Sequence, residues 1–220
     1  MRYMKTLAAA LAFVVVLGAL SLNAATIAVV DAANQGVQVW GGNLALNFDV
    51  ISPITVTQLG VFNAAGDGVI TGPIHVVIYN GSGGMVTPIV TFQGTYATTG
   101  LGYDVFQNIS PVVFGVGSYQ VDSVGWSSDL VGNQTYGSVG PQLNTGAGAV
   151  NYTSSMWDYS SVLDNPNTCG SCFAVNQFDS ATFAFTNGGN SSTPEPPSLL
   201  LLGSGVIGLA GAVRRKLLGL

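Results

Sequence analysis

The stretch Leu44–Val50, which reads Leu-Ala-Leu-Asn-Phe-Asp-Val, decides the fold of this chain. Apolar side chains occupy every second position of this stretch, and small or polar residues lie between them. Because successive side chains of a strand point to opposite faces, this period of two predicts a half-buried β-strand. Ser52 and Pro53 follow and end the pattern.

Further β-forming stretches follow along the chain, separated by turn sequences. Residues 63–68 and 80–84 are rich in Asn, Asp and Gly, which favour tight turns. The central chain shows scarcely any helical period, so the pattern predicts an all-β fold, an antiparallel β-sandwich of jelly-roll type. The later predicted strands are residues 54–62, 74–79, 86–92, 103–106, 112–114, 119–126, 173–175 and 182–185, and residues 131–168 are predicted to contain long loops.

The N-terminus has the composition of a secretory signal. Arg2 and Lys5 are basic, residues 7–22 are apolar, and residues 23–25 include small side chains suited to cleavage. This order predicts a signal peptide helix over residues 1–25. An N-terminal anchor that is never cleaved is the alternative interpretation.

The C-terminus carries a second apolar segment. Residues 198–213 contain no charge, and at ~1.5 Å per residue they approach the thickness of a bilayer. Arg214, Arg215 and Lys216 follow as a basic membrane stop that stays cytoplasmic, so a transmembrane helix is predicted with residues 26–193 on the other face. The predicted domains are a signal peptide (1–25), a β-sandwich (26–186), a linker (187–193) and a tail with the transmembrane helix (194–218).

Charge is distributed very unevenly along the chain. All five cations lie at its two ends, and residues 6–213 contain no Lys or Arg. Between residues 26 and 192 the charged side chains are nine aspartates. Without cations this region has no phosphate clamp and no nucleic-acid footprint, so no nucleic-acid partner is expected. Neutral ligands, divalent metals and apolar surfaces stay open as partners.

The tail resembles a known sorting signal. It combines Pro194-Glu195-Pro196, a Leu-rich run over residues 199–205 and the basic Arg214-Arg215-Lys216, in that order. This arrangement closely resembles the PEP-CTERM sorting signal of exported Gram-negative proteins. The resemblance implies an exosortase as partner, a membrane-embedded cysteine transpeptidase that cuts near the Pro-Glu-Pro. It also implies export across the inner membrane, anchoring by the C-terminal helix before processing, and a final location in the cell envelope, at the surface or outside the cell.

The central region carries a second resemblance. Leu-Gly-Val-Phe at 59–62, Gly-Asp-Gly at 66–68, Val-Val-Ile-Tyr-Asn at 76–80 and the glycine-to-tyrosine strand at 115–121 follow one another in order. This pattern is similar to a β-sandwich domain found in some PEP-CTERM proteins, and it spans about residues 41–126. That group has no assigned activity to transfer.

Cys169 and Cys172 are the two cysteines of the chain, separated by two residues. Because an exported protein meets an oxidising environment, the pair predicts a local disulfide. A redox-active pair is the alternative, although no βαβ pattern surrounds it.

Calcium is the one cofactor that the sequence brings into consideration. Asp67 with Asn63, and Asp31 with Asn34, offer hard oxygen ligands on predicted loops. Asp in a Gly-flanked turn also serves turn geometry alone, so both interpretations stay open. His75, the only histidine, lies in a predicted strand, where we expect it to meet a hydroxyl group or solvent rather than act as a base.

Several aromatic side chains in the second half of the chain are candidates for stacking on sugar rings. They are Trp126, Tyr136, Tyr152, Trp157 and Tyr159. Most aromatic residues of a sandwich fill its core, which is the other interpretation of each of them.

The sequence therefore predicts an exported, non-enzymatic protein of the cell surface or extracellular matrix, with exopolysaccharide as its candidate ligand. No residue is assigned a catalytic role. Two alternatives are kept: a secreted hydrolase of glycosidase type that uses Asp carboxylates, and a calcium-binding adhesion module.

Overall fold

The computed structural model describes residues 25–30, 36–98, 103–165 and 175–188, all within a compact unit of residues 24–189. A short 3₁₀ helix, Gln134–Tyr136, is the one helical element in these ranges. The strands are β1 (Thr26–Ile27), β2 (Val29–Val30), β3 (Leu44–Val50), β4 (Ile54–Phe62), β5 (Val69–Asn80), β6 (Val90–Thr95), β7 (Asp104–Phe114), β8 (Gly117–Val124), β9 (Gly132–Asn133), β10 (Gln142–Leu143), β11 (Val150–Trp157), β12 (Phe178–Asp179) and β13 (Ala181–Asn187).

Two larger sheets contain most of these strands. One has four strands in the order β1-β13-β4-β7, and the other has five in the order β11-β3-β8-β5-β6. Two short ladders, β10-β2 and β12-β9, lie beside them in the topology. Every pairing is antiparallel, which confirms the prediction of an all-β, antiparallel fold.

The alternating residues of β3 form the centre of the core. Leu44, Leu46, Phe48 and Val50 are between 1 % and 8 % exposed. The Phe48 ring stacks on Phe183 of β13 at a centroid distance of 4.9 Å, so the five-stranded and four-stranded sheets share one hydrophobic core. Burial of each such side chain contributes about 1.5–3 kcal/mol.

The opposite face of β3 is polar and belongs to the outside of the five-stranded sheet. There Asn47 lies across from Gln120 of β8, and Ala45 lies across from Asp122. Asp122 is nevertheless 0 % exposed. The loop at residues 158–164 lies next to this face, where Asp158 and Asp164 contact the Asn43 side chain just before β3. Burial, and to a smaller extent the charges of these two residues, raises the pKa of Asp122. An outer face of a sheet has thus become a second buried region, lined by polar groups.

The predicted strands agree best where the apolar alternation is strong. The bounds of β4 are the predicted residues 54–62. The predicted segments 103–106 and 112–114 are one continuous strand, β7, which lies at the edge of its sheet. Pro111 is tolerated inside it because an edge strand leaves one side of its backbone unpaired.

The prediction of long loops over residues 131–168 is wrong for residues 150–157. This segment is β11, which pairs with β3 from Val150–Val50 to Trp157–Leu44. The pairing register shifts between Tyr152 and Ser154, so a bulge interrupts the period of two that marks a strand in sequence. At the predicted strand 173–175, Val175 lies in a turn, and residues 173 and 174 are outside the described ranges.

Several predictions fall on residues outside the described ranges. These are the signal peptide, the sorting tail with its membrane stop, the Cys169–Cys172 disulfide and the Asp31 calcium candidate. Among the residues that are described, none belongs to a helix with the length and apolar character needed to cross a membrane.

Candidate functional site

Three aromatic rings meet at one end of the five-stranded sheet. Trp40 precedes β3, Trp157 ends β11, and Tyr159 follows two residues later. The Trp40 ring lies edge-on to Trp157 at 5.1 Å and tilted against Tyr159 at 5.4 Å, while Trp157 and Tyr159 meet edge-on at 4.9 Å. Together they form one wall of a cleft of about 190 Å³, here called the aromatic cleft. Its described lining is Gln38, Trp40, Leu44, Asn133, Thr135, Tyr136, Trp157, Tyr159 and Phe178.

The scaffold holds the cleft residues from several directions. Trp40 donates its Nε1–H to the Asn43 carbonyl at 3.2 Å, and Trp157 sits opposite Leu44 in the β11–β3 ladder. Asn133 donates to the Gln38 side chain at 2.6 Å, which joins the two amide side chains of the lining. Because the hydrogen bond holds Trp40 and the ladder positions Trp157, ordering these two residues costs little conformational entropy when a ligand binds.

The chemistry of the cleft suits a neutral, hydroxyl-rich ligand. Tyr159 is 80 % exposed and Tyr136 is 63 % exposed, which are large values for aromatic side chains. Gln38 and Thr135 supply an amide NH₂ and a hydroxyl group that can donate hydrogen bonds to a ligand. Asn133 is 6 % exposed, and its amide already bonds to the Gln38 side chain, the Thr135 amide and the Gln177 side chain. None of the described lining residues is charged. Aromatic faces with a few convergent polar groups are typical of small-ligand sites.

The structure brings together Tyr136, Trp157 and Tyr159, three of the five aromatic residues predicted to contact sugars. It places Trp126 in the core, where the ring is 0 % exposed and donates to Ser123 Oγ at 3.1 Å. Tyr152 is part-buried, and its hydroxyl lies 3.0 Å from the Ala28 carbonyl oxygen and 2.9 Å from that of Asn144.

Burial raises the pKa of Tyr152 above its ordinary value, as expected for a phenol withdrawn from water.

Trp40 and Gln38, which precede the first strong strand, were not among the site residues predicted from the sequence. A tryptophan next to two glycines at 41–42 was the available signal, because a bulky ring on a loop is often a ligand contact.

Asp67 and Asn63 lie in the tight turn between β4 and β5. Asn63 is 4 % exposed; its Oδ1 accepts from the Gly68 amide at 2.8 Å and its Nδ2 donates to the Val69 carbonyl at 2.9 Å. Asp67 Oδ1 accepts from the Val69 amide at 2.9 Å. Both side chains therefore serve the turn, and a calcium ion at this place stays a prediction.

His75 lies on β5, as predicted, and its Nδ1 is 2.9 Å from the Thr91 hydroxyl oxygen. This is the contact with a hydroxyl group that the sequence led us to expect.

A second group of polar side chains surrounds Asn43, next to the aromatic cleft. The Asn43 side chain is 0 % exposed, and its amide nitrogen faces oxygens of Asp158, Ser160, Val162 and Asp164. We call these five residues the Asn43 cluster. Asp164 is exposed as a residue, but its carboxyl is partly withdrawn from water by the cluster, which raises its pKa. The Asp158 carboxyl, within hydrogen-bonding reach, raises that pKa further, against a lowering contribution from the Ser160 side chain.

Asp122 faces the Asn43 cluster from β8. Burial raises its pKa to about 8, and the charges of Asp158 and Asp164 act in the same direction, while the nearby Ser123 amide opposes them. Within the described ranges, no three His, Cys, Asp or Glu side chains are grouped so that they could hold a metal ion. A cation in this region would have to take part of its ligands from amide and carbonyl oxygens.

Comparison with known proteins identifies the tail. No curated protein matches the chain. Residues 192–216 match the family model described as the PEP-CTERM protein-sorting motif, and this range contains both Pro194-Glu195-Pro196 and Arg214-Arg215-Lys216. The resemblance seen in the sequence is confirmed. The chain carries a PEP-CTERM sorting motif at its C-terminus, and this motif implies an exosortase as its processing partner.

Proposed function

We propose that this protein is a non-enzymatic β-sandwich module of jelly-roll type that holds a neutral exopolysaccharide in its aromatic cleft at the cell surface or in the extracellular matrix. The sorting motif indicates an exported, membrane-anchored precursor that is processed for the cell envelope or surface. The observation that carries the binding proposal is the exposure of Tyr159 and Tyr136, 80 % and 63 %, at the mouth of a cleft of about 190 Å³.

The charge of the chain supports a neutral ligand over an anionic one. Residues 26–192 contain nine aspartates and no Lys or Arg, so their field repels polyanions. A neutral polysaccharide has no such penalty. Its hydroxyl groups match the Gln38 amide and the Thr135 hydroxyl, and its apolar C–H faces match the rings of Trp40 and Tyr159.

The binding proposal is tested with Tyr159→Ala. Because this ring is largely exposed, its removal leaves the core intact, and we expect affinity for the neutral exopolysaccharide of the producing cells to fall about tenfold, as for a binding hot spot. Affinity electrophoresis in gels containing that polysaccharide measures the change. Val113→Ala is the matched control, since Val113 is 70 % exposed on β7 in the other sheet. Equal retardation of both variants would contradict a role for the cleft.

Asp158 and Asp164 are the carboxyl pair to consider for the hydrolase alternative, and their position does not favour it. Glycosidases hold their two carboxyl groups about 5–5.5 Å or about 6.5–9.5 Å apart, depending on mechanism. Asp158 and Asp164 are close enough for a direct hydrogen bond, and neither lines the aromatic cleft as the structure describes it. We therefore expect no new reducing ends when the protein is incubated with the polysaccharide. Their release by the wild type, and not by Asp158→Asn, would support the hydrolase.

Processing is tested by mass spectrometry of the mature protein from cells with and without an exosortase. We expect a C-terminus near Pro194-Glu195-Pro196 only where the exosortase is present, because the sorting motif is what that enzyme recognises. An intact Leu220 in both samples would instead indicate a simple anchored protein.

A further inference from the structure

The side-chain amide of Asn43 has more acceptors around it than it has hydrogens. Its Nδ2 lies 3.2 Å from Asp158 Oδ1, 3.2 Å from the Ser160 carbonyl oxygen, 2.7 Å from the Val162 carbonyl oxygen and 3.1 Å from Asp164 Oδ1. An amide NH₂ group carries two hydrogens, so it cannot satisfy four acceptors at once. Two of the four oxygens have another donor: Asp158 Oδ1 accepts from the Ser160 amide at 2.8 Å, and the Val162 carbonyl accepts from the Ser160 hydroxyl at 3.1 Å. The four oxygens still lie around one nitrogen that can serve only two of them.

The oxygen atom of the same amide has too few partners rather than too many. Asn43 Oδ1 is buried and has no hydrogen-bond partner among the described residues, and the whole side chain is 0 % exposed. The oxygen and nitrogen ends of an amide have nearly the same shape, so a half-turn about the Cβ–Cγ bond exchanges them. After that turn, five oxygens from the Asn43 cluster converge.

We propose that the Asn43 cluster is a calcium site, in which Asn43, Asp158, Ser160, Val162 and Asp164 each supply one oxygen or more. Calcium takes six to eight oxygen ligands, and it accepts carboxylates, amide oxygens, backbone carbonyls and water together. The loop ligands come from alternate residues, 158, 160, 162 and 164, so one short loop wraps around one point. Magnesium suits the site less well, because it demands a regular octahedron and retains most of its waters.

The buried carboxylate of Asp122 is a second, independent observation that points to a cation at this place. Asp122 is 0 % exposed, and neither of its carboxylate oxygens has a hydrogen-bond partner of good geometry in the described ranges. It lies across from Ala45 in the β3–β8 ladder, and Asn43, two residues before Ala45, shares the same face of the sheet. The chain has no Lys or Arg between residues 6 and 213 whose charge could compensate the carboxyl groups of Asp122, Asp158 and Asp164. A cation taken from solution compensates them directly.

This site does not depend on the proposed glycan-binding function, although the two are neighbours. Trp157 and Tyr159 flank Asp158 in sequence, and Trp40 donates to the Asn43 carbonyl oxygen, which is not among the proposed ligands. The ring of Trp157 is thus one residue from a ligand, which makes the site observable by energy transfer from indole to a bound lanthanide.

The test uses terbium, which takes oxygen ligands as calcium does. The full chain in detergent is stripped with a chelator and titrated with Tb³⁺ while indole is excited. We expect sensitised emission that saturates at one equivalent and that Ca²⁺ displaces at concentrations where Mg²⁺ does not. In Asp164→Asn, an exposed and isosteric change, we expect Tb³⁺ and Ca²⁺ affinities to fall about tenfold or more, because ligand charge sets the affinity.

Asp67→Asn is the matched control, since it removes one loop carboxylate at the other candidate position and should keep full emission. Circular dichroism of each variant confirms that the strands persist, and the thermal midpoint of the wild type with and without chelator gives an optical readout independent of terbium. Absence of Ca²⁺-displaceable emission at millimolar calcium overturns the proposal. Unchanged affinity in both Asp158→Asn and Asp164→Asn overturns it as well, because the ion would then lie elsewhere.

Discussion

Gly41 and Gly42 are adjacent in the chain but differ in the space available for a side chain. A Cβ atom on Gly42 would collide with the backbone carbonyl of Asp158, whereas a Cβ on Gly41 would meet nothing within 4 Å. We therefore expect Gly42→Ala to destabilise the fold by about 1–3 kcal/mol, as overpacking does, because the start of the 158–164 loop must move. Gly41→Ala is the control and should leave the urea midpoint unchanged. Equal midpoints for the two variants would show that the loop yields without penalty.

Individual residues also show which features of the site the sequence could predict. Tyr159 and Trp157 were identifiable because aromatic residues in a polar, Gly-rich segment stand out. Trp126 has the same type of signal but lies in the core, since the packing of the two sheets decides its burial. The oxygens of Ser160 and Val162 belong to the backbone, and no pattern of side chains reveals where a carbonyl group will point.

Among the elements, β3 and β4 were predictable and β11 was not. Strict alternation in β3 and β4 reflects one face packed against a core, which is a local rule that the sequence carries. In β11 the bulge at Tyr152 and Ser154 shifts the alternation halfway, and the strand is defined by its ladder to β3, about a hundred residues away. Long-range pairing of this kind has no local signature.

Tyr152 is the residue through which β11 contacts the N-terminal segment. Its hydroxyl lies within hydrogen-bonding distance of the carbonyl oxygens of Ala28 and Asn144. We expect Tyr152→Phe to lower the free energy of unfolding by about 0.5–1.5 kcal/mol, because a part-buried hydrogen bond is lost. Tyr159→Phe removes the same hydroxyl from a ring that is 80 % exposed and should have no measurable effect. Urea denaturation of the two variants checks the difference, and a larger loss in Tyr159→Phe would contradict the assignment.

For the whole molecule, the dominant physical fact is the separation of charge. The cations lie at the two ends, and nine aspartates lie between residues 26 and 192. Mutual repulsion of like charges opposes the compact state, and it is weakened by salt and by bound cations. General screening acts on all nine aspartates, whereas the proposed calcium site acts on one loop. The two effects can therefore be separated.

General screening and a specific calcium site predict different effects of NaCl and CaCl₂ on the thermal midpoint. Raising NaCl from about 20 mM to about 500 mM should raise the thermal midpoint of the wild type and of Asp164→Asn alike, because the Debye length shortens from roughly 20 Å to about 4 Å in both. Millimolar CaCl₂ at constant ionic strength should raise the midpoint of the wild type further, since a ligand that binds only the folded state stabilises it. In Asp164→Asn this second rise should be largely lost. If both proteins gain equally from calcium, the ion acts as a diffuse counter-charge on the aspartates, and the 158–164 loop has no special part in it.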